Sequence, residues 1–233
     1  MISSTLSHAL STGPATAFLV LAGLAMLVDW IAVVDRNGPL AAAELVAKPA
    51  VPLALLGLVA VASSSHGAAR WLVMVALLFC TIGDVALMLP DGKSSLFIVG
   101  LGAFLIAQVL FAIAFATLPH GSELVALALV LLVAALPTAL VLKAVSSTQR
   151  ELLGPVIAYV IAILAMATTA VAVGIGGGLW VWVAAVGGLA FIASDLLLAI
   201  NRFIRPLPRE ALLVHVTYHI GIVGLALGLL AAT

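Results

Sequence analysis

Leu78-Phe79-Cys80-Thr81-Ile82-Gly83-Asp84-Val85-Ala86-Leu87-Met88-Leu89 and Phe191-Ile192-Ala193-Ser194-Asp195-Leu196-Leu197-Leu198-Ala199-Ile200 are apolar runs, each interrupted by one aspartate. In both, a small residue precedes the Asp, leucine follows three positions on, and an aliphatic residue stands five positions on. A carboxylate inside a bilayer costs several kcal/mol unless it is paired, protonated or wetted, so by default it marks a functional site. Two carboxylates in matching contexts predict one site built from both.

The surrounding chain decides that these runs cross a bilayer. It is 65% hydrophobic and 8% charged, with a mean hydropathy of +1.38. Soluble domains need about 25% charged residues to cover their surface, so a water-soluble globule is excluded. Net charge is zero, which offers nothing to nucleic acid or to a strongly charged soluble partner. The single cysteine, Cys80, has no intrachain partner and reads as a packing residue. Met1 to Gly13 lacks the basic n-region of a signal peptide, so the first apolar stretch reads as a retained helix.

A helix needs about 20 apolar residues to span the hydrocarbon core. That window predicts helices over 15–34, 41–62, 70–89, 95–118, 122–145, 151–173, 177–200 and 208–231. The separators carry breakers: Asn37-Gly38-Pro39, Ser63-Ser64-Ser65-His66-Gly67, Pro90-Asp91-Gly92, Pro119-His120-Gly121, Gly176-Gly177-Gly178 and Pro206-Leu207-Pro208. Gaps this short leave no room for a soluble domain. Residues 1–233 are therefore expected to form a single integral membrane domain, an all-α bundle of eight transmembrane helices. The expected location is the cell membrane, and the inner membrane in a bacterium.

Seven of the nine lysines and arginines follow odd-numbered helices: Arg36, Lys93, Lys143, Arg150, Arg202, Arg205 and Arg209. Arg70 lies on the opposite side and Lys48 within the second span. The positive-inside rule then places the odd loops in the cytoplasm and both termini on the non-cytoplasmic side. With that direction, Asp84 and Asp195 lie roughly 8 Å below the cytoplasmic edge of the hydrocarbon, at 1.5 Å per residue. Glu44, Lys48, Tyr159, His215, Tyr218 and His219 fall in the same layer or slightly deeper. His8, His66 and His120 fall on the far side. The pattern predicts a polar cavity open towards the cytoplasmic leaflet.

Several of these residues also have plain structural readings. Lys48 precedes Pro49, which frees backbone carbonyls, and it can snorkel to the interface. Glu44 stands four residues before Lys48, the favourable order for a helical ion pair. Asp29 beside Trp30 reads as an interface anchor. Tyr159 can be an ordinary buried tyrosine, and Gln108 a hydrogen-bonding link between helices. Gly174-Ile175-Gly176-Gly177-Gly178 reads as an outer turn, because no P-loop lysine follows it. His215 and His219, four apart on one helix face, have a metal-ligand spacing that Asp84 and Asp195 could complete.

Ala47-Lys48-Pro49, Gly83-Asp84-Val85-Ala86-Leu87-Met88-Leu89-Pro90, Gly102-Ala103-Phe104, Ser194-Asp195 through Asn201-Arg202-Phe203, and Thr217-Tyr218 resemble, in order, the YhhN family of multi-pass membrane proteins. Its animal members are lysoplasmalogenases, and eight helices are expected of it. The chain departs from the family pattern at Gln108, where a histidine is expected, and at His219 and Ile222, which replace a Tyr and a Gln. The resemblance implies hydrolysis of the sn-1 vinyl ether of a lysoplasmalogen, or of a related ether lysolipid, to a fatty aldehyde and a glycerophospho-alcohol. Its substrate would be a lysophospholipid drawn from the membrane.

Vinyl ethers hydrolyse by rate-limiting protonation of the β-carbon, which leaves an oxocarbenium ion for water to capture. Asp84 and Asp195 are the expected catalytic pair: one supplies the proton, and the other steadies the cation and activates water, much as paired carboxyls do in glycosidases. Lys48 is expected to hold the phosphate or tune an aspartate, with Tyr159, Tyr218, Asn201 and His219 also contacting substrate. The chemistry calls for no metal or cofactor. The rival readings are a transporter using the same cavity, with Asp84 and Asp195 on the third helix of each four-helix half, and a metal-dependent lipid hydrolase using His215 and His219. An intramembrane aspartyl protease is disfavoured, because Thr81-Ile82-Gly83-Asp84 lacks the first glycine of Gly-x-Gly-Asp.

The charge asymmetry makes a direct topological prediction. On intact cells, a membrane-impermeant thiol reagent should label a cysteine introduced at residue 120 and spare one introduced at residue 204. The opposite pattern would reverse the orientation.

Overall fold

The structure is a computed structural model that describes residues 7, 10–62, 67–89 and 95–232. His8, His66, Lys93 and the Pro90-Asp91-Gly92 separator lie outside the described residues. The described chain forms eight long helices: α1 (Gly13–Val34), α2 (Glu44–Val61), α3 (Gly67–Met88), α4 (Ser95–Ala116), α5 (Glu123–Thr148), α6 (Leu153–Gly176), α7 (Trp182–Phe203) and α8 (Glu210–Ala232). All eight are long and apolar enough to cross a bilayer, and no strand occurs among the described residues. Short 3₁₀ turns, Ala41–Ala43, Arg150–Leu152 and Leu179–Val181, lead into α2, α6 and α7.

Local chemistry sets the helix ends. Thr12 and Ser122 cap α1 and α5, accepting from the backbone N–H groups of Ala15 and Val125 at 3.4 Å. α5 runs past the expected end at 145 because Ser146, Ser147 and Thr148 donate to the Lys143 and Ala144 carbonyls at 2.8–2.9 Å. These hydroxyls bond back to carbonyls that the helix already engages, adding second donors near its end. α7 likewise continues to Phe203, bringing Asn201 and Arg202 out of the expected loop and into its last turn. Asp195 therefore sits about two turns before its helix end, one turn deeper than its sequence position implied. α2 passes unbroken through Pro49 and Pro52.

The short connections make successive helices antiparallel, so the C-termini of α1, α3, α5 and α7 share one end of the bundle. Arg36, Lys143, Arg150, Arg202, Arg205 and Arg209 gather there, and this is called the basic end below. At the other end, Arg70 donates to the Ala60 carbonyl and fastens the start of α3 to the end of α2.

α8 is the most enclosed helix and packs against α7, α1, α2 and α3. Its seam with α7 is the tightest in the bundle, because small residues face each other along it. A Cβ added to Gly187 would lie 2.6 Å from the Leu225 nitrogen, and one added to Gly224 would lie 2.6 Å from Gly187 Cα. Gly228 abuts Ala184 in the same way, at 2.4 Å. This is the small-residue packing by which membrane helices gain close van der Waals contact where lipid provides no hydrophobic drive. The neighbouring Gly188 serves α6, since its added Cβ would lie 3.2 Å from Ala167 Cα. α7 is thereby pressed between α6 and α8.

α1 and α5 lie on the outside. Leu132 on α5 is 83% exposed and Leu24 on α1 is 56% exposed, on faces that only lipid would cover. The chain is thus built as a multi-pass membrane protein. α5 rests on α6 and α7, and it barely touches α4, its predecessor in the chain. A small apolar cluster of Val141, Val145, Leu152 and Val156 stands apart from the main core. Between the two runs a cavity.

Gly224→Val should overpack the α7–α8 seam by at least the ~1–3 kcal/mol typical of added core methyls, because backbone and not a flexible side chain stands in the way. Gly23→Ala, which meets nothing within 4 Å, is the control. Thermal unfolding in detergent should show a clear drop for the first and little change for the second. Equal midpoints would contradict the packing.

Candidate functional site

The cavity is enclosed by α2 through α8 without α1. Asp84 and Asp195 both line it, together with Lys48, Tyr159, Tyr218 and Arg202. Most of the remaining wall is aliphatic or aromatic, including Leu87, Phe97, Leu101, Phe104, Ile163 and Leu164. Such a lining suits a ligand with a long apolar part and one polar segment.

The two aspartates receive parallel treatment. Tyr159 Oη on α6 donates to Asp195 Oδ2 at 2.5 Å, and Tyr218 Oη on α8 donates to Asp84 Oδ2 at 2.8 Å. The difference between them is a cation. Lys48 Nζ lies 3.7 Å from Asp84 Oδ1, and Asp195 has no ion-pair partner among the described residues. Burial differs too: Asp84 is fully covered, whereas Asp195 is only partly buried.

The small residue before each aspartate has a distinct purpose. A Cβ on Gly83 would collide with the Phe104 ring at 2.6 Å. Phe104, Phe191 and Tyr218 pack mutually edge-to-face, with centroids 5.5–6.2 Å apart, and this triad fixes the tyrosine that reaches Asp84. Ser194, also buried, donates to the Val214 carbonyl of α8 at 3.0 Å, pinning α7 one residue before Asp195.

A second polar cluster lies on the other side of α8. His215 Nδ1 is 2.8 Å from Asp29 Oδ2 on α1, and His215 Nε2 is 3.8 Å from Glu44 Oε1 on α2. His219 Nδ1 accepts from Trp30 Nε1 at 3.0 Å, which puts the neutral ring's proton on Nε2, 3.9 Å from Asp29 Oδ2. Asp29 and His219 are fully buried.

This cluster corrects several sequence readings. Asp29 is no interface anchor but the centre of a buried histidine–carboxylate group. Glu44 faces His215, and Lys48 pairs with Asp84. His215 and His219 are turned to Asp29, so the ligand set of two histidines with Asp84 and Asp195 is not formed. His219 does not line the cavity; it is separated from it by Tyr218, whose ring is 5.5 Å away. Asn201 is also displaced from the site: its Oδ1 accepts from the Leu207 backbone N–H at 2.9 Å and braces the turn after α7. Gln108 is buried on α4 beside the Tyr159 hydroxyl of α6, with no hydrogen bond within 3.5 Å to either amide atom. Lys48, Tyr159 and Tyr218 are brought to the two aspartates.

Sequence reasoning missed Arg202 as a cavity residue, because a cation just past an apolar run reads as a loop residue. The signal that could have found it is its spacing of seven from Asp195, two helical turns along the same face.

Among known proteins, the family model described as the YhhN family matches residues 43–229. No curated protein matches the chain, and no solved structure does.

The Asp29–His215 pair makes its own prediction. Removing one member of a buried pair typically costs about 3–5 kcal/mol, since the other is left unpaired, whereas replacing both by apolar groups is far milder. Asp29→Leu should therefore lower the thermal midpoint in detergent strongly, and adding His215→Leu should recover part of the loss. Additive losses would remove the coupling.

Proposed function

The chain belongs to the YhhN family, and on that premise we propose that it is a membrane-embedded hydrolase of the lysoplasmalogenase type. Its substrate would be the sn-1 vinyl ether of a lysoplasmalogen or a related ether lysolipid. The observation that carries this reading is the pair of tyrosine-bound aspartates in one mainly apolar cavity, only one of them matched by a lysine.

On this reading the asymmetry separates the roles. Lys48 supplies the counter-charge for an ionised Asp84. Among the described residues Asp195 is met by one hydroxyl and no cation, and it opens to the cavity, as a proton donor to bound substrate must. Asp195 gives its proton to the β-carbon of the alkenyl chain, and the double bond's electrons form the new C–H bond. The α-carbon and ether oxygen become an oxocarbenium ion, steadied by the two carboxylates. Water then adds to the α-carbon. Its proton passes to Tyr218 Oη while the tyrosine's own proton passes to Asp84, a relay for which the 2.8 Å bond is already in place. The neutral hemiacetal collapses when Asp195 takes its hydroxyl proton and Asp84 protonates the departing glycerol oxygen. Aldehyde and alcohol leave, and both aspartates regain their starting states.

Access follows from the packing. Phe97 and Leu101 on α4 and Thr138 and Val141 on α5 line the cavity, yet the two helices hardly touch. A lysolipid would enter sideways between them from the leaflet at the basic end, the cytoplasmic one by the distribution of lysine and arginine.

Asp84→Asn and Asp195→Asn should each reduce aldehyde release from a defined lysoplasmalogen by about 10²–10⁴-fold, as loss of one general acid or base does. The thermal midpoint of Asp195→Asn should stay close to wild type, since Asn matches Asp in size and still accepts from tyrosine. That of Asp84→Asn should fall because buried Lys48 loses its partner, so turnover is compared on protein that remains folded. The double variant should be little worse than the poorer single, because the groups act as a unit. Activity should persist in EDTA. Near-native turnover by either single variant, read by mass spectrometry of the aldehyde, would end the paired-carboxyl mechanism. Solute flux in proteoliposomes without hydrolysis would replace it with transport.

A further inference from the structure

Two lysine or arginine side chains line the cavity among the described residues, and only Lys48 is occupied there by a carboxylate. The other, Arg202, takes part in no ion pair among the described residues. It stands in the last turn of α7, seven residues after Asp195 and on the same face, which places it about 10 Å nearer the basic end at 1.5 Å per residue. Its guanidinium lies over the Phe97 ring of α4, 3.6 Å from the centroid.

A cation at a helix C-terminus also complements the helix dipole, and a long side chain can snorkel to water. Neither role calls for an aromatic partner inside the cavity wall. Stacking engages the flat face of a guanidinium and leaves the N–H groups around its edge to meet a phosphate in two-pronged fashion. Phe97 thus holds a pre-oriented anion receptor at the cavity mouth.

We propose that Arg202, held on Phe97, is the subsite for the phosphate of a lysophospholipid whose chain runs inward past Asp195. The proposal rests on the ether-lysolipid reading above and extends it to the headgroup. Seven bonds of about 1.5 Å separate the β-carbon that Asp195 protonates from the phosphorus, or about 9 Å end to end. With a contact of about 3 Å to a protein group at each end, the required spacing is about 15 Å, which the axial offset of about 10 Å between the two backbone positions and the length of the arginine side chain can together span. The phosphate then marks the depth at which the vinyl ether meets Asp195. Whatever the phosphate bears points out of the mouth, so choline and ethanolamine forms should bind alike, and a phosphate-free ether glycerol should bind poorly.

The test uses ligands that cannot be turned over, so it does not depend on hydrolysis. Binding of a saturated 1-O-alkyl lysophosphocholine and of the matching 1-O-alkylglycerol is measured on purified full-length protein in neutral detergent. Wild type should prefer the phosphate ligand by at least about 10-fold, the scale of a charge-assisted hydrogen-bonding pair. Arg202→Gln should weaken that ligand by about 10- to 100-fold and the alkylglycerol by far less, and Arg202→Lys should fall between. Inorganic phosphate at millimolar concentration should not compete, because it lacks the chain. Equal effects of Arg202→Gln on both ligands, or no effect on either, would overturn the subsite. Displacement of the lysolipid by inorganic phosphate would also overturn it, assigning Arg202 to free anions. If wild type binds as expected yet releases no aldehyde from vinyl-ether lipids, the hydrolase reading falls and the subsite stands. If it hydrolyses them while Arg202→Gln leaves phosphate-ligand binding unchanged, the subsite alone falls.

Discussion

Asp84 is fully buried in a bundle whose outer surface is apolar, and it must be compensated entirely by neighbouring helices. Among the described residues two side chains reach it: Lys48 from α2 at 3.7 Å and Tyr218 from α8 at 2.8 Å. Each partner depends on something else. Tyr218 is clamped by Phe104 and Phe191, and Phe104 fits only because position 83 has no side chain. α8 can approach closely enough to place Tyr218 because Gly187 and Gly224 allow backbones nearly to touch. Burial of one carboxylate thus constrains α2, α3, α4, α7 and α8 together. A change at any of these points leaves a costly buried charge, not a small void.

The same geometry separates two aspartates that sequence alone presents as twins. Both accept from a tyrosine, but the lysine reaches only one, because α2 borders α3 and not α7. Matched motifs have become unmatched environments, and that is what acid–base chemistry at a paired-carboxyl site needs. The transporter reading draws on the motif symmetry, whereas the proposed hydrolysis draws on its breaking.

The sequence carried the helices because it carries their physics: span length and breakers. Three helix ends lie three residues beyond their expected positions, at Thr148, Gly176 and Phe203; at the first, side-chain hydroxyls bond back to the helix, and at the third, Asn201 braces the turn that follows. Lys48, Tyr159, Tyr218 and the two aspartates were legible as polar groups at a common depth. Depth alone gives no azimuth around the bundle, however, and that is where the reading failed. Asp29, Glu44, His215 and His219 share the layer of Asp84, yet they face another way and form a separate cluster.

α8 is the divider between those two groups. Adjacent residues on a helix point about 100° apart, so Tyr218 and His219 are directed into different compartments. On the Tyr218 side lies a cavity with room for a ligand. On the His219 side the groups meet one another and Trp30, and α1 closes over them. α1 is otherwise mostly lipid-exposed and packs chiefly along α2, so Asp29 and Trp30 give it a specific attachment to α8. The sealed cluster therefore acts on the site at one remove. It joins the α7 seam in constraining the rotation of α8 about its axis, on which the meeting of the Tyr218 hydroxyl with Asp84 depends.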